Sequence, residues 1–446
     1  MSSQMIADLY KAHITQLLSV YTRGLEALTK GGIGADGILL HSGIEQHYYG
    51  DDRGISFQAY GHFLHWLSAN RPDQFLLIRP EEQPSYIQIV PPDYWYEQDI
   101  QDDPLWHDNF EIHRLASVDQ LSDVLPHGRF VYCGASTERA TVLGLDQSRI
   151  NPKMLLHFLD YHRACKTNYE LVQLREANRL AMVGHQAARE CFLAGGSEYD
   201  IHLNYLSACK ILEDETPYTN IVALDEKSAI LHYQYKRRIP GNDSQLLLID
   251  AGYRVRGYGS DITRTSLKET GHPTLRALRD GMDSIEQALV AEVRPGKSYV
   301  EIHLSALSRL GELLVSLDIC RGSLGGLIEQ QIPQLFMPHG VGHLLGIQVH
   351  DCGGHLQNEQ GDLLAPPDHS PMLRNTREMM ENMVLTIEPG CYFIPLLLEP
   401  ERNSDRGKLI NWSLVEELIP LGGVRIEDNV CVLASGVENL TRAPIV

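Results

Sequence analysis

The chain of 446 residues is short of basic residues, of long apolar runs and of paired cysteines, and each shortage excludes something. Lys and Arg number 38 against 58 Asp and Glu, a formal charge of −20. Such a field repels phosphate backbones and anionic lipid, so neither nucleic acid nor a membrane surface is expected as a partner. The longest apolar runs, such as Leu246 to Ile249 and Pro395 to Leu398, are far too short to span a bilayer. The first residues lack the basic region, apolar stretch and cleavage site of a secretory signal. Eight cysteines include no Cys-x-x-Cys spacing, which reads as reduced, buried thiols in a cytoplasm. Gly296-Lys297-Ser298 ends like a phosphate-cradling loop, but Ala291 stands where that loop needs glycine. No Gly-x-Gly-x-x-Gly follows a strand and no His-Glu-x-x-His occurs, which disfavours nucleotide binding and the helix-borne zinc site.

What is present looks globular, with 43% hydrophobic and 22% charged residues. Length over ~150 residues per domain suggests two or three domains. Ile6, Leu9, Tyr10, Ile14, Leu17, Leu18, Tyr21, Leu25 and Leu28 recur at helical steps, and Gly31-Gly32 supplies a stop. Gln74 to Ile78 and Tyr86 to Val90 have strand character, and Pro91 to Trp106 reads as a long loop. Helix returns around Leu155 to Thr167, and Thr167 with Glu170 is a capping-box candidate for the next one. A helical pair follows between Pro273 and Ile319, broken at Pro295-Gly296, and short strand-like segments are expected from there to the C-terminus. The reading is α+β, with a smaller N-terminal domain over residues 1–160 and a larger C-terminal one over 161–446.

Five segments of the larger domain place an acid or histidine where an apolar strand or tight turn should continue. Leu246-Leu247-Leu248-Ile249 ends in Asp250, and Asp261 follows eleven residues on. A turn between them would bring the two aspartates together on antiparallel strands, where both cannot stay ionised without cations. His339-Gly340-Val341-Gly342-His343, continuing to Gly346 and His350, holds three glycines that argue for close backbone approach to something bound. Leu385-Thr386-Ile387 leads to Glu388, and Gly423-Val424-Arg425-Ile426 leads to Glu427, with Arg425 and Glu427 on one face of a strand. Singly each is ordinary: a strand-end Asp is commonly a turn residue, and Glu427 a simple partner for Arg425. Together, four carboxylates and an imidazole among apolar strands are costly to bury unpaired, and two divalent cations offset that cost. Hard oxygen ligands with one nitrogen suit manganese, cobalt or zinc.

These five segments, in this order, resemble the metal-binding signature of the pita-bread metallopeptidases, and within that family the bacterial Xaa-Pro dipeptidases, or prolidases. The resemblance spans the whole chain and implies a small N-terminal α/β domain followed by a pita-bread catalytic domain. It implies Asp250, Asp261, His343, Glu388 and Glu427 as ligands of two divalent ions, Asp261 and Glu427 touching both. Manganese is the expected ion, with cobalt or zinc as alternatives. His232 matches the histidine beside the scissile bond, and His339 and His350 resemble substrate-contacting residues. Arg374 sits where prolidases hold the arginine that receives the dipeptide carboxylate, while Arg425 and Tyr299 line the site in relatives. A homodimer is implied too, in which Asp51 or Asp52 and Trp95 are candidates for contacts with a neighbouring subunit.

The implied reaction hydrolyses Xaa-Pro dipeptides through a hydroxide held between two cations, with Glu388 as general base and His232 or His350 donating to developing charge. Arg374, expected to be buried, would select dipeptides by their free carboxylate. Organophosphate hydrolysis is a conceivable side activity of such a site. The competing readings are an aminopeptidase P releasing the first residue of longer Xaa-Pro peptides, and a non-catalytic pita-bread binding protein.

Overall fold

Ser2 caps the first helix, α1 (Ser3–Lys30), its side chain accepting from the Met5 amide. The helix buries Tyr10, Ile14, Leu17, Tyr21, Leu25 and Leu28, the stripe set by their three- and four-residue spacing, and ends at Gly31-Gly32. The chain, a computed structural model that describes residues 2–98, 103–125 and 128–442, divides into two compact units. One comprises Met1–Arg163, Thr167–Tyr169 and Asn358–Asp362, the other Ala164–Lys166, Glu170–Gln357 and Leu363–Val446.

In the first unit β1 (Gly37–His41), β2 (Phe75–Ile78), β3 (Ser85–Ile89), β4 (Glu111–Leu115) and β5 (Phe130–Gly134) form one mixed sheet in the order β4-β3-β2-β1-β5. α1 packs on α2 (Lys153–Arg163), and Gly24 permits their approach, since a Cβ there would meet Leu155 at 2.9 Å. The stretch expected as a loop from Pro91 to Trp106 is irregular over 91–98, lies outside the described residues over 99–102, and closes on a helical turn at Pro104–His107. Asp103 caps that turn by accepting from the Leu105 amide at 3.0 Å.

The second unit begins with α3 (Asn168–Leu193) and α4 (Glu198–Cys209). Its strands are β6 (Ile221–Leu224), β7 (Leu246–Asp250), β8 (Arg254–Val255), β9 (Tyr258–Gly259) and β10 (Thr263–Leu267). They are followed by α5 (Pro273–Glu292) and α6 (Tyr299–Ser316), then β11 (Val384–Ile387), β12 (Gly390–Tyr392), β13 (Gly423–Arg425), β14 (Asp428–Val432) and β15 (Val437–Asn439). β10-β7-β6 and β11-β14-β15 are antiparallel three-stranded sheets, and β12 pairs with β13. The expected turn between the two aspartates exists: β8 and β9 form a hairpin over Arg256-Gly257, whose positive φ values of 49° and 93° match the twist of the flanking strands.

The expectation that strand-like segments dominate after residue 319 is corrected. Short helices at Leu324–Glu329, Ile332–Phe336, Pro395–Leu398 and Trp412–Leu418 intervene. Each runs seven residues or fewer, too short to display a helical period in sequence. Helices packed on mainly antiparallel sheets make the unit α+β, and no helix among the described residues is long and apolar enough to cross a membrane.

Candidate metal centre

β7 ends in Asp250, whose cross-strand partner is Thr263 at the start of β10. Asp261 lies two residues before that ladder, fixed by Asn429, which donates to its carbonyl at 2.5 Å and accepts from its amide at 3.0 Å. Glu388 and Glu427 follow the ends of β11 and β13. His343 joins through a hydrogen-bond exchange, its amide donating to Thr386 Oγ1 and the Thr386 amide to its carbonyl, both at 3.0 Å. One cavity of about 190 Å³ is lined by Asp250, Asp261, His343, Glu388 and Glu427 together with Arg425, His232, His339, His350 and Arg374. Ten of the eleven candidate residues therefore share a cavity.

Ligand atoms of Asp261, His343 and Glu427 lie within 4.8 Å of one another. His343 Nε2 stands 3.4 Å from Asp261 Oδ2 and 3.7 Å from Glu388 Oε1. Its Nδ1 lies 2.9 Å from the Leu344 carbonyl, which can only accept, so Nδ1 carries the proton and Nε2 faces the acids. Four carboxylates, three of them buried and Glu388 partly so, meet one buried guanidinium, and the excess charge shows in their proton affinities. Burial, with neighbouring Asp261 against the relief from Arg425, pushes Asp250 up to about 6. Burial pushes Glu388 up to about 7, and pushes Glu427 up further with Asp261, Glu388 and Asp250 adding to it. Burial opposes the His343 imidazolium, yet Asp261 and Glu388 hold its pKa above the ordinary value. Hard acids around a single imidazole, each charged form disfavoured without a counter-cation, fit divalent metal ions.

The remaining candidates occupy different positions around this set. Arg425 is spent on protein: it donates to Asp250 Oδ2 at 2.6 Å, to Thr263 Oγ1 at 2.9 Å and to Tyr392 Oη at 3.0 Å. It braces Asp250 instead of pairing with Glu427, which accepts from Thr263 Oγ1 at 2.6 Å. His339 bonds the Gly340 carbonyl through Nδ1 and Tyr392 Oη through Nε2, so neither nitrogen is free for a substrate. Tyr299 does not line the cavity; it is fully buried and donates to the Thr386 carbonyl at 2.7 Å, behind the strand that leads to Glu388. His350, exposed at the mouth of the cavity, stacks edge-on against His343 at 4.5 Å, and partial desolvation together with His343 and Arg374 lowers it to about 4, which leaves a neutral ring at neutral pH. His232 is exposed at the rim. The expectation that Arg374 is buried fails: it is exposed on the wall of the cavity and has no partner among the described residues.

At the glycines of the 339–346 segment the close approach is made in part by the protein itself, while Gly340 and Gly342 also line the cavity. A Cβ on Gly342, at φ +147°, would collide with Thr386 and the Tyr299 hydroxyl. One on Gly346 would meet Asp351 Oδ2 at 2.5 Å and Lys166 Nζ at 2.7 Å. Sequence reasoning missed Tyr218, which donates to Asp250 Oδ1 at 2.7 Å, and Tyr392, Thr263 and Asn429. None carries a spacing signal, since every one of these contacts spans at least 32 residues. In the first unit Asp51 and Asp52 are exposed, Asp51 accepting from the Arg53 amide as a turn acid, and Trp95 is exposed as well.

Known proteins are similar to this chain. A family model described as metallopeptidase family M24 matches residues 172–434, and one described as the Xaa-Pro dipeptidase N-terminal domain matches 8–161. The Xaa-Pro dipeptidase of Pseudoalteromonas atlantica is 40% identical over 446 residues, covering 98% of this chain and 99% of its own. That of Aeromonas hydrophila is 42% identical over 414 residues, covering 92% and 93%. The structure of Escherichia coli aminopeptidase P with the inhibitor Pro-Leu matches with a TM-score of 0.72 at 22% identity, covering 96% of this chain and 95% of that one, which shows the fold. The resemblance read from five segments and the expected pita-bread architecture are both borne out. With a buried acid set suited to divalent ions, the chain is a metallopeptidase and belongs to metallopeptidase family M24.

Proposed function

We propose that the enzyme hydrolyses Xaa-Pro dipeptides and that Asp250, Asp261, His343, Glu388 and Glu427 would hold two divalent ions, manganese being the native metal. The observation that carries the substrate reading is Arg374, an unpartnered guanidinium on the wall of the cavity that the acids line. It offers a bidentate site for a free carboxylate, and a peptide extended past proline carries no charge there. Relatives named Xaa-Pro dipeptidase, similar across both units, support it.

Bound by these residues, such ions would supply a water acidified toward ~7 and a Lewis acid for the scissile carbonyl. The chain supplies the rest. Glu388, with 18% of its side chain exposed, takes the attacking water's proton and can hand it on. Neutral His350 donates to the charge growing on the carbonyl oxygen, and His232 approaches the peptide from the rim. Proline nitrogen has no hydrogen, so the leaving amine must receive one, and Glu388 delivers it.

We further infer a cytoplasmic homodimer. All eight cysteines are free, and Tyr49, Tyr94, Trp95 and Tyr96 are exposed on the first unit, as an interface would leave them in one subunit. The domain division is placed at 160/161, and a site built to activate water is proposed to hydrolyse organophosphates slowly. The deciding experiment gives chelator-stripped protein manganese, cobalt or zinc separately, with Gly-Pro and Gly-Pro-Ala as substrates. Manganese-restored turnover favouring Gly-Pro by at least about tenfold is expected. Preference for the tripeptide overturns the dipeptidase reading.

A further inference from the structure

The pleat that aims Asp250 and Thr263 into the metal cavity sends their neighbours Ile249 and Arg264, also cross-strand partners, to the reverse face of the sheet. Over that face α3 lays a stripe at helical spacing, Met182, His185, Gln186 and Arg189, and α5 presents Arg279, Asp280 and Asp283. Between them runs a groove of about 280 Å³ floored by Ile249 and Ile426.

Two polar groups of this groove lack partners. His185 is buried, and its Nε2 lies 2.9 Å from the Ala251 carbonyl, so Nε2 carries the proton. Burial keeps the ring neutral, which leaves Nδ1 a bare acceptor, and nothing bonds it. Arg189 is exposed and has no ion pair or hydrogen bond among the described residues. The other charges are engaged: Asp283 with Arg442 at 2.8 Å, Arg279 beside Asp280 at 2.8 Å, and Arg264 with Asp428 at 2.7 Å. A simple anion would satisfy Arg189 and leave His185 bare, and a metal cation would satisfy His185 and meet the arginines. A small molecule with a carboxylate at one end and N–H donors at the other satisfies both.

We propose that this groove binds an α-amino acid as its zwitterion, carboxylate on Arg189 and ammonium toward His185 Nδ1 and the Asp280 and Asp283 carboxylates. The volume suits so small a ligand, falling below the ~300 Å³ at which drug-sized pockets begin. The site also touches the catalytic face through one side chain. Arg264, which lines the groove, donates from Nη1 to the carbonyls of Glu427 at 2.7 Å and Thr263 at 3.0 Å. An occupant that draws on Arg264 shifts the backbone carrying Glu427, so binding lowers kcat and leaves KM unchanged. That regulatory half rests on the peptidase reading, since amino acids are its products; the binding half does not.

The test titrates L-alanine into the metal-loaded protein by calorimetry, with no turnover involved. Binding is expected that weakens at least about tenfold in Arg189→Ala and persists in Arg374→Ala. Absence of heat at concentrations well above ~1 mM, or heat lost in Arg374→Ala and kept in Arg189→Ala, overturns the site. In the dipeptide assay L-alanine should lower kcat in the native chain and not in Arg189→Ala; an effect on KM alone overturns the coupling. If Gly-Pro is not a substrate, the peptidase reading fails while the calorimetric result stands.

Discussion

Glu427 and Asp428 are neighbours in the chain with opposite fates. Glu427 turns into the metal cavity among three other carboxylates and one guanidinium. Asp428 turns to the reverse face, where Arg264 and Arg442 bind it and Asn439 donates to it at 2.7 Å. Glu286 completes this second cluster, 2.9 Å from Arg442 and pushed up to about 9 by burial and by Asp428, hence protonated near neutrality. Both clusters bury several ionisable groups. The reverse one balances its charge internally and needs nothing further, whereas the front one is left acidic by a margin that only added cations remove. The difference separates a structural network from a binding site more sharply than burial does.

Substitutions on the two sides should diverge. Asp261→Ala should cost on the order of 10³-fold or more in kcat through lost metal, with the fold retained, as read by turnover and metal content. Asp428→Asn should leave metal content near native and lower unfolding free energy by about 3–5 kcal/mol, because it strands Arg264 and Arg442. Similar metal loss in both variants would erase the distinction.

Acidity offers a second contrast. The raised pKa values of Asp250, Glu388 and Glu427 mean that the metal-free folded state binds more protons than the unfolded state. Stability of stripped protein is therefore present below the ordinary carboxylate range and is lost as pH rises through about 6 to 7, and His343 acts in the same direction. A fall on the order of 3 kcal/mol between pH 4.5 and 7.5 is expected in denaturant titrations, from ~1.36 kcal/mol per pKa unit. Glu286 adds a decline that continues to about 9 in both stripped and loaded protein, so subtracting their curves isolates the front cluster. A stripped protein that gains stability over this range would contradict the acid excess.

The smallest effect belongs to the cavity wall. Arg374→Ala should raise KM for Gly-Pro by about tenfold with kcat nearly unchanged, less than a buried guanidinium would give, because exposed Arg374 shares its carboxylate with water.

The front cluster was legible where an acid interrupted an apolar run, as at Leu246 to Asp250 and Leu385 to Glu388, and the turn between Asp250 and Asp261 was legible as a glycine-bearing hairpin. Sequence left open whether Arg425 pairs with Glu427 or reaches elsewhere, since its partner Asp250 lies 175 residues away. Tyr218 and Asn429 were invisible for the same reason, and the glycines of 339–346 announced a close approach without naming the neighbour, since ligand and protein leave one signature. The short helices after residue 319 escaped for lack of length, and Arg374's exposure depends on a loop whose path no periodicity encodes.

The span from Asp250 to Arg425 has a consequence for how the enzyme is made. On a ribosome the two aspartates emerge well before Glu427 and before the arginine that steadies Asp250, which lies 175 residues further along the chain. Until Glu427 has emerged the nascent chain offers only scattered acids, each a weak chelator, and the full set exists only once that segment has folded onto the aspartates. Which ion is installed is decided by the pool the finished protein meets, so the metal supply at maturation, more than during translation, sets what the enzyme carries.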